Sequence, residues 1–198
     1  MSGLKVAIMG GAAKEHSGLL QLGREWELWG LNSCMPDWFG PKYRRIDKWF
    51  HLHQRAALER QIPKHVEWFE QWYERHSEIE FVLLEPWDKC PNATIFPKHS
   101  ITHLGPRGEY HCGSFDLMLA YALLLGATEV FIAGVKLHTE SSEPMSAGAC
   151  LEYWIGYAEG QEVKVTVADD CDLFYNYRLV RDHRMYGYDE FDLVETVK

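Results

Sequence analysis

Leu4-Lys5-Val6-Ala7-Ile8-Met9-Gly10-Gly11-Ala12-Ala13-Lys14-Glu15-His16-Ser17-Gly18-Leu19-Leu20 carries the first signal of the architecture. Its apolar start, with β-branched Val6 and Ile8, reads as a strand covered on both faces. Gly10 and Gly11 let the backbone turn sharply. The residues that follow predict a helix over Lys14–Gly23. Strand, glycine turn and helix together aim backbone N–H groups and the positive end of a helix dipole at one point, which suits a phosphate or a carboxylate. The pattern is neither G-x-G-x-x-G nor the Walker loop, since no Gly-Lys-Ser/Thr closes it. A plain structural turn is the other reading of the same residues.

Outward from this stretch, further strand signals fall at Glu27–Leu31, Ile46–His51, Glu80–Leu84, Glu129–Ala133 and Val163–Val167, and the loop at 90–111 has room for a short one at Thr94–Phe96. Helical patterns lie between them. Ala56–His76 is amphipathic and interrupted near Pro63. Ser114–Leu125 is apolar nearly all round and stops at Gly126. Ala147–Glu159 ends at Gly160. A helix without a polar face belongs in the middle of a fold. Alternating strands and helices predict a doubly wound α/β domain over residues 1–198, its sheet mainly parallel with helices on both faces. Two segments depart from the alternation. Residues 90–111 form a long loop rich in Pro, Gly and His, and residues 172–198 a tail expected to pack on the domain.

Ligands of open α/β sheets bind beyond the carboxyl ends of the strands, near the point where strand order reverses. That rule selects candidates. Gly10, Gly11, Lys14 and Ser17 follow the first strand, with Lys14 to neutralise a phosphate and Ser17 to hydrogen-bond it. Asn32 follows the second, either bonding a ribose hydroxyl or serving as a cap or turn residue. His51 and His53 end the third and would share a face; no further ligand spacing supports a metal there. Gly113 and Ser114 start the buried helix, with Ser114 as its natural N-cap. His111 stands just before them. Cys112 reads as a buried structural thiol. Glu152 either reaches a ligand or is a solvated acid. The residues name no metal and no cofactor.

The 198 residues carry a net charge of −9, which leaves no large basic surface for nucleic acid. The five cysteines (Cys34, Cys90, Cys112, Cys150, Cys171) are odd in number and form no C-x-x-C pair, so they read as reduced thiols of a cytoplasmic protein. Neither a signal peptide nor a membrane span is legible. A homo-oligomer is compatible with the sequence.

Val6-Ala-Ile-Met-Gly10-Gly11, Trp29-Gly30-Leu31-Asn32, His111-Cys-Gly113-Ser114, Val130-Phe-Ile-Ala-Gly134 and Cys150-Leu-Glu152-Tyr153-Trp154 together resemble Rossmann-like proteins encoded by bacteriophages. Those are similar in turn to archaeal pterin pyrophosphokinase-like and bacterial sialyltransferase-like proteins. The resemblance spans most of residues 4–167. It implies a nucleotide or nucleotide sugar bound across the two glycine turns, at Gly10, Gly11, Asn32, Gly113 and Ser114, and for a phage protein it implies the host cytoplasm. One departure stands out: Lys136 occupies about the position where these relatives commonly carry an acid, which weighs against metal-assisted phosphate chemistry.

The expected function is binding of a nucleotide-like small molecule at the strand ends, with transfer of a glycosyl or phosphoryl group if there is turnover. His51 or His111 would then be the acid/base. Non-catalytic sequestration of a nucleotide and a protein-interaction module are the alternatives.

Overall fold

The structure is a computed structural model that describes residues 3–11, 19–32, 45–137 and 146–174. Seven strands form its sheet: β1 (Leu4–Met9), β2 (Trp26–Leu31), β3 (Lys48–His51), β4 (Glu80–Leu83), β5 (Thr94–Ile95), β6 (Ala127–Ala133) and β7 (Lys164–Val167). The spatial order is β5-β4-β3-β2-β1-β6-β7, and every pairing is parallel. The expected α/β class therefore stands, and the sheet is parallel throughout.

Alternation along the strands splits the core in two. Val6 and Ile8 of β1 join one apolar cluster, and Ala7 and Met9 join the other. The first cluster lies under α3 (Lys98–Thr102), α4 (Ser114–Leu124) and α5 (Ser146–Gly160), with Trp29 and Trp154 fully buried. The second lies under α1 (Arg55–Gln61) and α2 (Pro63–Arg75), with Trp49 and Phe69 fully buried. Each such ring removes roughly 150–250 Å² from water, which is why so aromatic a chain builds two cores on one sheet.

Local chemistry explains the element ends. Ile62 leaves the helical region (φ −145°, ψ 65°), and Pro63 opens α2 at a position whose N–H has no helical partner. One expected helix thus becomes two. Gly126 adopts φ 79° and closes α4 as its sequence suggested. The expected loop 90–111 contains β5 and α3. Of the expected Lys14–Gly23 helix, the described part is a single 3-10 turn at Leu19–Gln21; residues 12–18 lie outside the described residues. After β7 the chain folds back: the Phe174 N–H donates to Glu152 Oε1 at 2.6 Å. The rest of the tail, 175–198, lies outside the described residues. No helix among the described residues is long and apolar enough to cross a membrane.

Candidate functional site

The strand order reverses between β1 and β6. The chain steps from β1 outward to β5, then returns to the other side of β1. The crevice beyond the carboxyl ends of these two strands is where an open α/β sheet receives its ligand.

The two strand ends touch there. The Gly10 N–H donates to the Ala133 carbonyl at 2.8 Å. A Cβ on Gly10 would stand 2.1 Å from the Gly134 carbonyl oxygen, so no side chain fits. Gly134 itself has φ 67°. The backbone after β6 is already occupied: Gly134 N–H donates to Asp170 Oδ1 at 2.9 Å, and Leu137 N–H to Asp172 Oδ1 at 2.8 Å. An anion seat at this reversal therefore falls to the β1 and β2 side.

Asn32 stands on that side. Its φ of 52° is left-handed, a conformation Asn tolerates better than most residues. Its N–H donates to the Phe50 carbonyl at 2.9 Å, and its own carbonyl accepts from Trp49 Nε1 at 3.3 Å. The backbone is thereby locked while the side-chain Oδ1, buried, has no partner among the described residues. Unpartnered buried oxygens are costly, which makes this one a candidate ligand contact. Of the two sequence readings, the backbone shows the turn residue, and the side-chain Oδ1 is a candidate contact.

A cavity of about 360 Å³ continues along the same edge. Leu52, Leu84 and Phe96, each the residue directly after β3, β4 and β5, form its floor, and Lys98, Glu109 and His111 line its polar side. His111 is stacked on Trp154 (centroids 4.8 Å apart, planes 9°). Its Nδ1 stands 3.7 Å from Asp116 Oδ2, ion-pair range but beyond a hydrogen bond, and neither ring nitrogen has a hydrogen-bond partner among the described residues. A second cavity of about 300 Å³ lies beside Ile79 and Glu80, at the amino end of β4 and off the edge that the topology selects.

The start of α4 departs from expectation. Gly113, extended at φ −151°, is the N-cap, and Ser114 is the first helical residue. Asp116 Oδ2 accepts the Cys112 N–H at 2.8 Å, and Oδ1 accepts the Gly113 N–H at 3.2 Å. The helix thus supplies its own anion, and Gly113 can meet a ligand only as a surface without a side chain. The Ser114 hydroxyl is the contact left for one.

His51 departs more sharply. It is fully buried among Phe69, Trp87 and His65, with its Nε2 2.9 Å from His65 Nε2. Burial first, and then the neighbouring His65 and His53, lower it to about 3. The expectation of an acid/base working near neutral pH does not hold at this position, because His51 is neutral there. Burial also lowers His65. His65 is the residue that sequence reading missed, since a lone His on an amphipathic helix has no spacing signal. Among the described residues no group of three His, Cys, Asp or Glu side chains could hold a metal ion.

Glu152 braces the fold through Phe174. Lys14 and Ser17 lie outside the described residues. Gly10, Gly11, Asn32 and the end of β3 share one edge of the sheet, whereas Gly113, Ser114 and His111 approach from the start of α4.

No protein-family model matches the chain, and no curated protein matches it by sequence. Solved structures do match. One is the monofunctional α-2,3-sialyltransferase Cst-I from Campylobacter jejuni, at TM-score 0.52 and 13% identity over 84% of this chain and 76% of that one. Another is the sialyltransferase CstII from Campylobacter jejuni in complex with the substrate analogue CMP-3FNeuAc, at TM-score 0.54 and 15% identity over 82% and 79%. A third is CstII with a trisaccharide acceptor and CMP, at TM-score 0.55 and 15% identity over 89% and 84%. At these identities the likeness establishes a shared α/β fold, in line with the sialyltransferase-like part of the resemblance.

Proposed function

We propose that this protein binds a nucleotide sugar at the reversal between β1 and β6 and transfers its glycosyl group to an acceptor hydroxyl. The observation that carries this reading is Asn32, whose left-handed backbone is locked against β3, one strand away from the reversal, and whose buried Oδ1 has no partner among the described residues. The fold likeness adds support, because the similar structures are glycosyltransferases described with CMP or a CMP-sugar analogue. Glycosyl transfer is preferred to phosphoryl transfer because Lys136 stands about where an acid would anchor a magnesium ion.

In this reading Gly10 and Gly11 allow the nucleotide phosphate to approach the backbone, with Lys14 and Ser17 as its further contacts. Asn32 and Ser114 orient the nucleoside part. His111 takes the acceptor's proton as the acceptor oxygen bonds to the sugar carbon, and the bond from that carbon to the nucleotide phosphate oxygen breaks. The leaving nucleotide keeps the electron pair. The large cavity beside His111 holds the acceptor. Non-catalytic sequestration of a nucleotide is the second reading, favoured by one observation: burial leaves His51 neutral, so that of the two expected acid/base residues it is poorly suited to the role.

The test is thermal stability against CMP, UDP, ADP, NAD and CMP- and UDP-sugars. A ligand at about 100 times its Kd adds roughly 2.7 kcal/mol. Asn32→Gly, which keeps the left-handed backbone, is expected to melt near wild type and to lose the ligand shift. His111→Gln is expected to keep the shift and lose turnover. Ligand shifts with no turnover on any sugar nucleotide would favour sequestration, and a blank panel would sink both nucleotide readings in favour of an interaction module.

A further inference from the structure

Cys112 and Cys150 are 38 residues apart in sequence and meet in space. Cys112 lies in the turn before α4, and Cys150 lies in the second turn of α5. The Cys150 thiol donates a hydrogen bond to Cys112 Sγ at 3.0 Å. Cys112 is exposed and Cys150 is buried. The sequence reading of Cys112 as a buried structural thiol is thus reversed. The contact is held from both sides. Asp116 fixes the Cys112 N–H, Trp154 Nε1 of α5 donates to the Tyr110 carbonyl at 2.9 Å, and His111 stacks on Trp154. Three consecutive residues of the turn are anchored around the pair, two of them to α5 itself.

We propose that Cys112 and Cys150 are a redox-active dithiol that closes to a disulfide between the α4 turn and α5 when a low-molecular-weight disulfide such as oxidised glutathione reaches Cys112. The sulfurs need to approach by only about 1 Å to reach bonding distance. Exposure sets the order of events. The Cys112 thiolate attacks one sulfur of the oxidant and expels the other as a thiolate, which takes up a proton. Cys150 then loses its proton and attacks Cys112 Sγ, expelling the second thiolate, which is protonated in turn. Two protein thiols give up two electrons and two protons, and one oxidant disulfide becomes two thiols.

Burial, and then the hydrogen bond to Cys112, push Cys150 up to about 12, which makes it the resolving partner and not the point of entry. Cys90 is buried and pushed up to about 12, chiefly by burial, and Cys171 is buried, so neither competes for the oxidant. Closure ties the start of the buried helix, and with it the turn that carries His111, to α5. The proposal stands on the thiol geometry and is independent of which ligand the reversal binds.

The experiment equilibrates the full chain in buffers of varied reduced to oxidised glutathione, blocks free thiols and weighs the intact protein and its peptides. The expected result is loss of two blockable thiols, those of Cys112 and Cys150, a 112–150 crosslinked peptide about 2 Da lighter than its reduced parts, and full reversal by dithiothreitol. The disulfide form should melt roughly 5 °C or more above the reduced form. Cys112→Ser, a change at an exposed position, is expected to fold as wild type and lose the crosslink. Cys150→Ser is expected to stop at a glutathione adduct on Cys112. An adduct on wild-type Cys112 that never resolves, or a crosslink that survives Cys112→Ser, overturns the proposal.

Discussion

A buried imidazole, His51, contributes to how this protein responds to acid. His51 is lowered to about 3 by burial and by the facing histidines, whereas in the unfolded chain a His titrates near 6.5. Between about pH 3 and 6.5 the unfolded state therefore binds a proton that the folded state refuses, so stability rises with pH across this window and is lost as pH falls. One such group contributes at most about 1.4 kcal/mol per pH unit, and His65, lowered in the same direction, adds to it. His51→Phe keeps a ring against Phe69 and Trp87 and removes the proton uptake. Urea midpoints measured from about pH 6 to 4 should fall more steeply for wild type than for this variant. Parallel curves would show that His51 is not the residue that refuses the proton. His51 was legible as a residue of interest from its place at a strand end. Its neutrality was not, because desolvation by Phe69, Trp87 and His65 comes from elements far apart in sequence.

At the scale of the element, α4 shows how an almost wholly apolar helix is started. Its first turn has one acid, Asp116, nearly fully buried, whose carboxylate accepts the N–H groups of Cys112, Gly113 and Leu117. Removing it takes the acceptor from these part-buried donors. Asp116→Ala is expected to cost about 2 kcal/mol, and Asp116→Asn less, because the amide oxygen still accepts. Equilibrium urea unfolding checks this, and a loss for Asp116→Ala under about 0.5 kcal/mol would mean that these donors find another partner. The element's span was readable from its apolar run and from Gly126. Its cap was misread: Ser114 has the right side chain, but the acid at the third helical position reaches back to an extended Gly113 and takes the N–H groups first.

For the whole molecule, the central fact is one sheet shared by two cores. Strand residues alternate between the α3–α5 side and the α1–α2 side, so neither core can melt without releasing the strands that the other needs. Trp29 and Trp154 report the first side, and Trp49, Trp72 and Trp87 the second. Far-UV circular dichroism and tryptophan fluorescence are expected to give one coincident denaturation transition. Replacing Trp29 and Trp154 by Phe, so that Trp49, Trp72 and Trp87 report, is expected to lower the midpoint because both rings are fully buried, while circular dichroism and fluorescence still coincide. Two separated midpoints would show that the helical layers come away independently.

The α/β class, most strand positions and the glycine turn were set by local sequence alone. Continuous β-branched runs want cover on both faces, and glycine is the residue that permits the close turn at Gly10. The strand order was not so set, because parallel neighbours are joined through crossovers that leave no local trace, and with it went the location of the reversal. Pairings across long separations were also decided only by the tertiary structure: Gly10 against Gly134, His51 against His65 and Cys112 against Cys150. Each depends on which surfaces pack together, and packing joins residues by the apolar area they bury, whatever their distance along the chain.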